Sequence, residues 1–506
     1  MKVGSRQILG PPRSAKFGGR KTSILKNDMQ KNFILILSFL LPMIMVFGQG
    51  AELKFQIKGT PEGTAKLAYY YGNKQYIKDS TKIDATGSFV FSSEEKYDEG
   101  IYLVVLPPNS KYFEVIMDKE QKWTISAENS DFVLSRKVKG SEENSVFTEY
   151  LKGLEEKKLA IVAPSKIKRH YESDTTEVNQ SYKEKPAYKN ALEEMQRINQ
   201  EVADFKEGFV VKYPTAFISK VITVSKEPEV PDEIGAADSE TKDLVRWLYF
   251  RDRYWDNIDL DDDRLLRTPV MHGKMEKYMT QLVVQIPDSI NLMADKLMAK
   301  TTDLSEIQKY FIIWITNHYE TSKQMGMDAV FVHMAKNYYM SGKAYWADSS
   351  LIAKISERAT KLDPVLLGKV APNLLMKDTL GNMHSLHGIK ADFTIAYFWD
   401  PDCGHCKKET PKLAKFYDKF KDELGVEVFG VNTTKEEQLW KDFINEHGLN
   451  FLNVQDPEQR TAFKYRYDIY STPVVYLLDK DKKIIAKRLG VDDIEGFIRS
   501  WKERKE

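Results

Sequence analysis

The chain has two cysteines in 506 residues, Cys403 and Cys406, three positions apart in the stretch FWDPDCGHCKKETP, Phe398 to Pro411. A Cys-x-x-Cys pair can help hold a metal, close a small structural bridge, or cycle between dithiol and disulfide. Structural zinc wants four ligands, and no third cysteine exists. His405 lies between the two sulfurs, poorly placed to reach the same ion, and His384 and His387 come before the adjoining strand. A bridge between such close neighbours removes little unfolded-chain entropy. Metal and structural readings are therefore disfavoured, and reversible redox chemistry is the expectation.

The flanking pattern supplies the physical reason. FTIAYFW, Phe393 to Trp399, is a continuous apolar run suited to a buried strand. A helix is expected from Cys403, placing this sulfur at free backbone N–H groups and the positive end of the helix dipole. Such positions lower a cysteine pKa from about 8.5 to roughly 3.5–7.5, and the thiolate is the attacking species. Cys403 is then the nucleophile, and Cys406, one turn on, resolves the mixed disulfide. His405 is a candidate for stabilising the Cys403 thiolate and carrying its proton. The reaction needs no organic cofactor and no metal.

The elements that must position this pair fill residues 363–506. VEVFGVN and NFLNV read as strands, with a helix between them from Thr434 to Gly448, where Thr434 and Glu437 suggest a capping box. TPVVYLLD and KIIAKRLG pair across a turn, and an amphipathic helix ends the chain. Strands alternating with helices, closed by a hairpin, predict an α/β layer with a mixed central sheet.

Upstream the chain changes character twice. Residues 51–137 hold short alternating runs separated by turn signals, predicting an antiparallel β sandwich or barrel-like domain. Tyr69, Tyr70, Tyr71 and Trp123 are expected there as core and strand-surface residues. Residues 140–362 carry apolar residues at helical spacing and predict a helical domain, interrupted by a loop at 225–240. In it, the acidic DLDDDR (Asp259–Arg264) lacks the glycine and glutamate of a calcium loop and reads as a solvated turn, and His318 and His333 read as core histidines.

Composition is ordinary, 42% hydrophobic and 29% charged, and a formal net charge of +1 gives no basic field to suggest nucleic acid as a partner. Residues 1–50 read as a signal peptide. Phe33–Phe47 is an uncharged apolar run preceded by basic and followed by small residues. It is short for a spanning helix and contains Pro42. Met29 begins a signal of ordinary length, which makes residues 1–28 a mis-assigned extension. The expectation is export to the periplasm or cell envelope.

Residues 363–506 resemble the thioredoxin-fold thiol–disulfide oxidoreductases, nearest the envelope-located thioredoxin-like proteins of cytochrome c maturation. The resemblance rests on Phe398–Trp399 before CGHC, on Pro411 five residues after the second cysteine, and on Thr472–Pro473 opening a later strand. It implies that Trp399, Thr472 and Pro473 contact substrate, with Pro473 in a cis-proline loop facing the disulfide. It also implies that Glu409, in CKKE, lies near the active site, where a carboxylate could shuttle protons. Two positions depart from the pattern: Tyr397 stands where thioredoxins carry a buried aspartate, and Asp402 where they carry a tryptophan. The implied partners are disulfide-containing protein substrates and a membrane-bound thiol carrier. CGHC resembles isomerase-type sites, whereas the wider resemblance favours a reductant. The competing class is an envelope binding protein with an inert thioredoxin module.

Overall fold

The computed structural model describes residues 50–173, 181–235 and 241–504. The apolar run Phe33–Phe47 lies outside them. Among the described residues no helix is long and apolar enough to cross a membrane.

The chain opens with β1 (Ala51–Lys58), β2 (Gly63–Tyr71), β3 (Lys74–Ile83), β4 (Ser88–Ser93), β5 (Gly100–Leu106), β6 (Lys111–Met117), β7 (Lys122–Glu128) and β8 (Lys137–Lys139). They form two four-stranded sheets, ordered β4-β1-β7-β8 and β3-β2-β5-β6. Alternation along β1 turns Leu53, Phe55 and Ile57 inward, against Phe89, Phe91 and Trp123. Not every pairing is antiparallel, because β1 and β7 run parallel. Alternation reports which face a side chain takes and is blind to the direction of the neighbouring strand. Trp123 is buried, whereas Tyr70 and Tyr71 are half-buried and turn their hydroxyls to Glu114 and Glu306.

The helices α1 (Glu142–Ala160), α2 (Val162–Ser173), α3 (Pro186–Lys212), α4 (Phe217–Ser225), α5 (Lys242–Asp252), α6 (Met271–Lys277), α7 (Pro287–Met298), α8 (Glu306–Glu320), α9 (Asp328–Met334) and α10 (Ser349–Leu362) follow. Ser141 caps α1. One turn in, the buried Asn144 amide pairs with both backbone groups of Ile116 on the edge strand β6, at 2.9 and 2.8 Å. That contact satisfies an edge that would otherwise present open hydrogen-bonding groups. Ile101 and Ile116 then share one core with Phe147 and the later helices.

Three expectations for this region change. His318 is exposed and stacks on Trp314 with centroids 4.5 Å apart, and half-buried His333 meets Asp295 at 2.9 Å. Helical spacing identified their helices but not the face each side chain takes. DLDDDR is pinned rather than merely solvated: Lys220 reaches Asp259 and Asp262 at 2.8 and 2.7 Å.

The last region contains β9 (Leu375–Asp378), β10 (Met383–Ser385), β11 (Phe393–Trp399), α11 (Cys406–Leu424), β12 (Val426–Asn432), α12 (Glu437–His447), β13 (Leu452–Gln455), α13 (Phe463–Arg466), β14 (Val474–Asp479), β15 (Ile484–Lys487) and α14 (Ile494–Glu503). They build a thioredoxin-like seven-stranded mixed sheet, ordered β10-β9-β13-β12-β11-β14-β15. β11, β12 and β13 are parallel, and the flanking strands antiparallel. Every residue of β11 is buried. Ile395, Tyr397 and Trp399 face the core shared with α11, α12 and α14, and Ala396 and Phe398 face the core on the opposite side. Gly425 closes α11 at φ +68°, where an added Cβ would lie 2.6 Å from the Asp392 carboxylate. The expected capping box is absent: Thr434 Oγ1 accepts from Glu436 N–H, so the hydroxyl caps a tight turn one residue before α12.

Candidate active site

β11 delivers the chain to the C-terminal edge of the central sheet, and α11 carries it away. Between them the backbone folds tightly on itself. Cys403 N–H donates to Asp400 C=O at 3.1 Å, Asp402 N–H to the Asp400 carboxylate at 2.9 Å, and Lys407 N–H to Cys403 C=O at 3.0 Å. The helix proper begins at Cys406, not at Cys403. Cys403 occupies the turn before it and supplies the carbonyl that starts the helical ladder, so its sulfur still meets open N–H groups.

The two sulfurs have different surroundings. Cys403 is half-buried and Cys406 has no exposed surface. Burial works against a Cys403 thiolate, yet the Thr472 side chain, the Cys406 N–H and thiol, and the His405 N–H all stabilise the anion. Together they hold its pKa below the ordinary value. For Cys406 burial dominates, the neighbouring Cys403 sulfur adds to it, and its pKa is pushed up to about 12. The Thr472 side chain and an N–H from Asp400, 3.4 Å from Cys406 Sγ, offset this only in part.

The opposite wall of the site is the segment entering β14. The Thr472–Pro473 peptide is cis, and Cys403 Sγ donates to Thr472 C=O at 3.2 Å. Thr472 thus serves both protonation states, its carbonyl accepting from the thiol and its side chain stabilising the thiolate. Beneath the site Tyr397 Oη and Thr410 Oγ1 are 2.9 Å apart and buried. Burial foremost keeps the Tyr397 phenol protonated; the Thr410 hydrogen bond is next in size and opposes it, and Cys406, Glu409 and Cys403 add smaller support.

Comparison with known proteins assigns this region. The AhpC/TSA family matches residues 367–487. Two families described only as domains of unknown function, DUF4369 and DUF5106, match residues 52–147 and 183–361. The thiol-disulfide oxidoreductase ResA of Bacillus thuringiensis (strain Al Hakam) is 30% identical over 136 residues, 26% of this chain and 77% of that protein. The chain belongs to the ResA-like thiol–disulfide oxidoreductases. The sporulation thiol-disulfide oxidoreductase A of Bacillus subtilis (strain 168) is 31% identical over 131 residues, 26% of this chain and 77% of its own. Among solved structures, a domain of a possible thiol-disulfide isomerase from Cytophaga hutchinsonii is 44% identical. It covers 28% of this chain and 95% of that domain, with a TM-score of 0.27.

Within this ResA-like site the residues singled out in the sequence have separate locations. Cys403, Cys406 and Thr472 meet, and half-buried Pro473 adjoins them. His405 is exposed, and the group it turns to Cys403 is its backbone N–H. Glu409 lies one turn into α11, close enough to act on Tyr397, with its carboxylate 3.0 Å from Lys412, which also reaches Asp492. Trp399, expected to contact substrate, is completely buried and packs on Phe443 with centroids 5.2 Å apart, so it presents no exposed surface. His384 and His387 bond Asp378 and the Ala371 carbonyl, and among the described residues no His, Cys, Asp or Glu cluster suits a metal.

Thr410 was missed. Its signal was available, since it stands four residues after Cys406 and therefore on the same helix face. The Asp400 N–H was missed as well, being a backbone group whose aim depends on the turn.

Proposed function

We propose that this chain is an exported oxidoreductase that reduces disulfides in protein substrates through its CGHC dithiol. The asymmetry between the two sulfurs carries the reading: one half-buried with a lowered pKa, the other enclosed with a raised one. In the proposed cycle the Cys403 thiolate attacks one sulfur of a client disulfide. The client S–S bond breaks, a mixed disulfide forms and a client thiolate departs. Cys403 is then no longer charged, which removes part of what holds the proton on Cys406. Cys406 passes that proton to the departed thiolate and attacks Cys403 Sγ. The second client thiolate is released, and the Cys403–Cys406 disulfide is left with two fewer electrons, which the client has gained. A membrane-bound thiol carrier restores the dithiol by the same exchange in reverse. Pro473 and Thr472 line the side from which the client backbone approaches, and Glu409 with Tyr397 forms the polar floor behind Cys406.

The direction follows the family resemblance, and export follows the apolar N-terminal run. Oxidase or isomerase action is the second reading, favoured by the lowered Cys403 pKa, because a stabilised thiolate makes its disulfide more oxidising. Insulin-disulfide reduction by wild type and Cys403→Ser tests the oxidoreductase reading: turnover in the first and none in the second is expected. Equal, near-zero turnover in both would favour a binding protein with an inert module. Equilibration with glutathione then fixes direction. A reductant falls near the −270 mV end of the range that thioredoxin marks, and about −180 mV or higher would assign the isomerase or oxidase role.

A further inference from the structure

The segment facing Cys403 is held from outside the thioredoxin-like sheet. Asp468 opens it at φ +52°, and its carboxylate is almost fully buried. Arg358, on α10 of the helical region, bonds that carboxylate and also donates to Tyr470 Oη at 3.0 Å. Its guanidinium lies over the Tyr470 ring, 5.2 Å from the centroid, although Tyr470 is otherwise 66% exposed. Arg488, the residue after β15, holds the other carboxylate oxygen at 3.0 Å. Two residues beyond Tyr470 comes Thr472, whose carbonyl is 3.2 Å from Cys403 Sγ. A cavity of about 190 Å³ lies beside this cluster, lined by the loop after α8, by Arg358 and Leu362 on α10, and by Asp468, Tyr476 and Arg488.

We propose that Arg358 is a positioning residue for Cys403: through Asp468 and Tyr470 the helical region sets where Thr472 sits, and thereby how reactive the attacking sulfur is. The inference rests on the oxidoreductase reading and adds a role for the helical region. Pro473 comes five positions after Asp468, and freeing one end gives Thr472 room to leave the sulfur. The thiolate then loses the side-chain hydrogen bond that opposes burial. The other titratable groups about Cys403 are Cys406 on α11 and Tyr397 on β11, with Asp400, Asp402 and His405 in its own turn, and none of them touches Arg358. Arg488 keeps Asp468 paired when Arg358 is removed, so the change need not strand a buried charge.

The test is the pH profile of Cys403 alkylation in the full chain, followed by iodoacetamide labelling and mass spectrometry. Arg358→Ala should raise the midpoint by about half to one pH unit, a roughly three- to tenfold fall in thiolate below it, and Arg358→Lys should recover part of the shift. Asp328→Asn is the control. Asp328 also joins the two regions, through Lys487, but it does not hold the Thr472 segment, so the midpoint should stay in place. An unmoved midpoint in Arg358→Ala overturns the inference, and so does an equal shift in Asp328→Asn. If Arg358→Ala does not fold, Tyr470→Phe removes a single hydrogen bond at an exposed ring. A smaller rise supports the proposal and none overturns it. Insulin turnover by wild type separates the two questions, since its absence defeats the oxidoreductase reading whatever the midpoints show.

Discussion

The two walls of the site are built in different ways. The cysteine turn from Asp400 to Cys406 closes on itself, with bonds between residues two to six apart. The facing segment from Asp468 to Pro473 is held by Arg358, more than a hundred positions earlier, and meets Cys403 across 69 positions. In the proposed reading one wall supplies the nucleophile and the other adjusts it. Local spacing can specify a reactive sulfur, whereas its tuning depends on where separate parts of the fold come to rest.

The largest expected effect tests whether the cysteine turn truly separates its sulfurs. In the reduced chain at pH 7, iodoacetamide should modify Cys403 at least about 100-fold faster than Cys406. The thiolate fractions differ by more than that, and the weaker nucleophilicity of a low-pKa thiolate gives back part of the difference. The sign follows from the two shifts: Cys403 gains reactivity as pH rises and levels off above its lowered pKa, whereas Cys406 keeps gaining up to about 12. Similar labelling of both sulfurs, read by mass spectrometry, would erase the asymmetry.

Next in size is the support beneath the turn. Trp399→Ala should cost about 3–5 kcal/mol in urea unfolding, as for large aromatic truncations in a core, while turnover per folded molecule changes little. A folded variant of unchanged stability with a raised KM would return Trp399 to the substrate surface.

Legibility follows the same division. The redox pair, the buried strand β11 and the mixed sheet were readable because each depends on neighbours in sequence: two thiols at one-turn spacing, a continuous apolar run, strands alternating with helices. The β-rich start and helical middle were readable from period alone. The parallel pairing of β1 with β7 was not, since alternation carries no direction. The family resemblance brought Trp399 forward as a contact, yet a residue at the end of a fully buried strand takes the next inward position, as Trp399 does. The Arg358–Asp468–Arg488 cluster has no local signature, because its members gain meaning only when α10 lies against the segment before β14.

The facing wall can be tested directly. Thr472→Val removes the side-chain donor and keeps the backbone carbonyl, so the Cys403 midpoint should rise by about one pH unit, the worth of one hydrogen bond to a charged group. The thiol's own bond to Thr472 C=O survives the change. An unmoved midpoint would show that the cysteine turn alone sets the pKa and that the two walls act independently.

The smallest effect concerns the residue that sequence spacing placed most prominently between the sulfurs. His405→Ala leaves the backbone N–H that faces Cys403, and the imidazole it removes is exposed. An exposed charge acts through water at about 0.2–1 kcal/mol, so the midpoint should move by less than about 0.7 of a pH unit. The shift should shrink further in high salt, which screens exposed charges but not the bonds from Thr472. A shift of a full unit that persists in salt would mean that the imidazole turns inward to the sulfur. The tuning would then belong to the cysteine turn itself, and the contribution of the facing wall would fall accordingly.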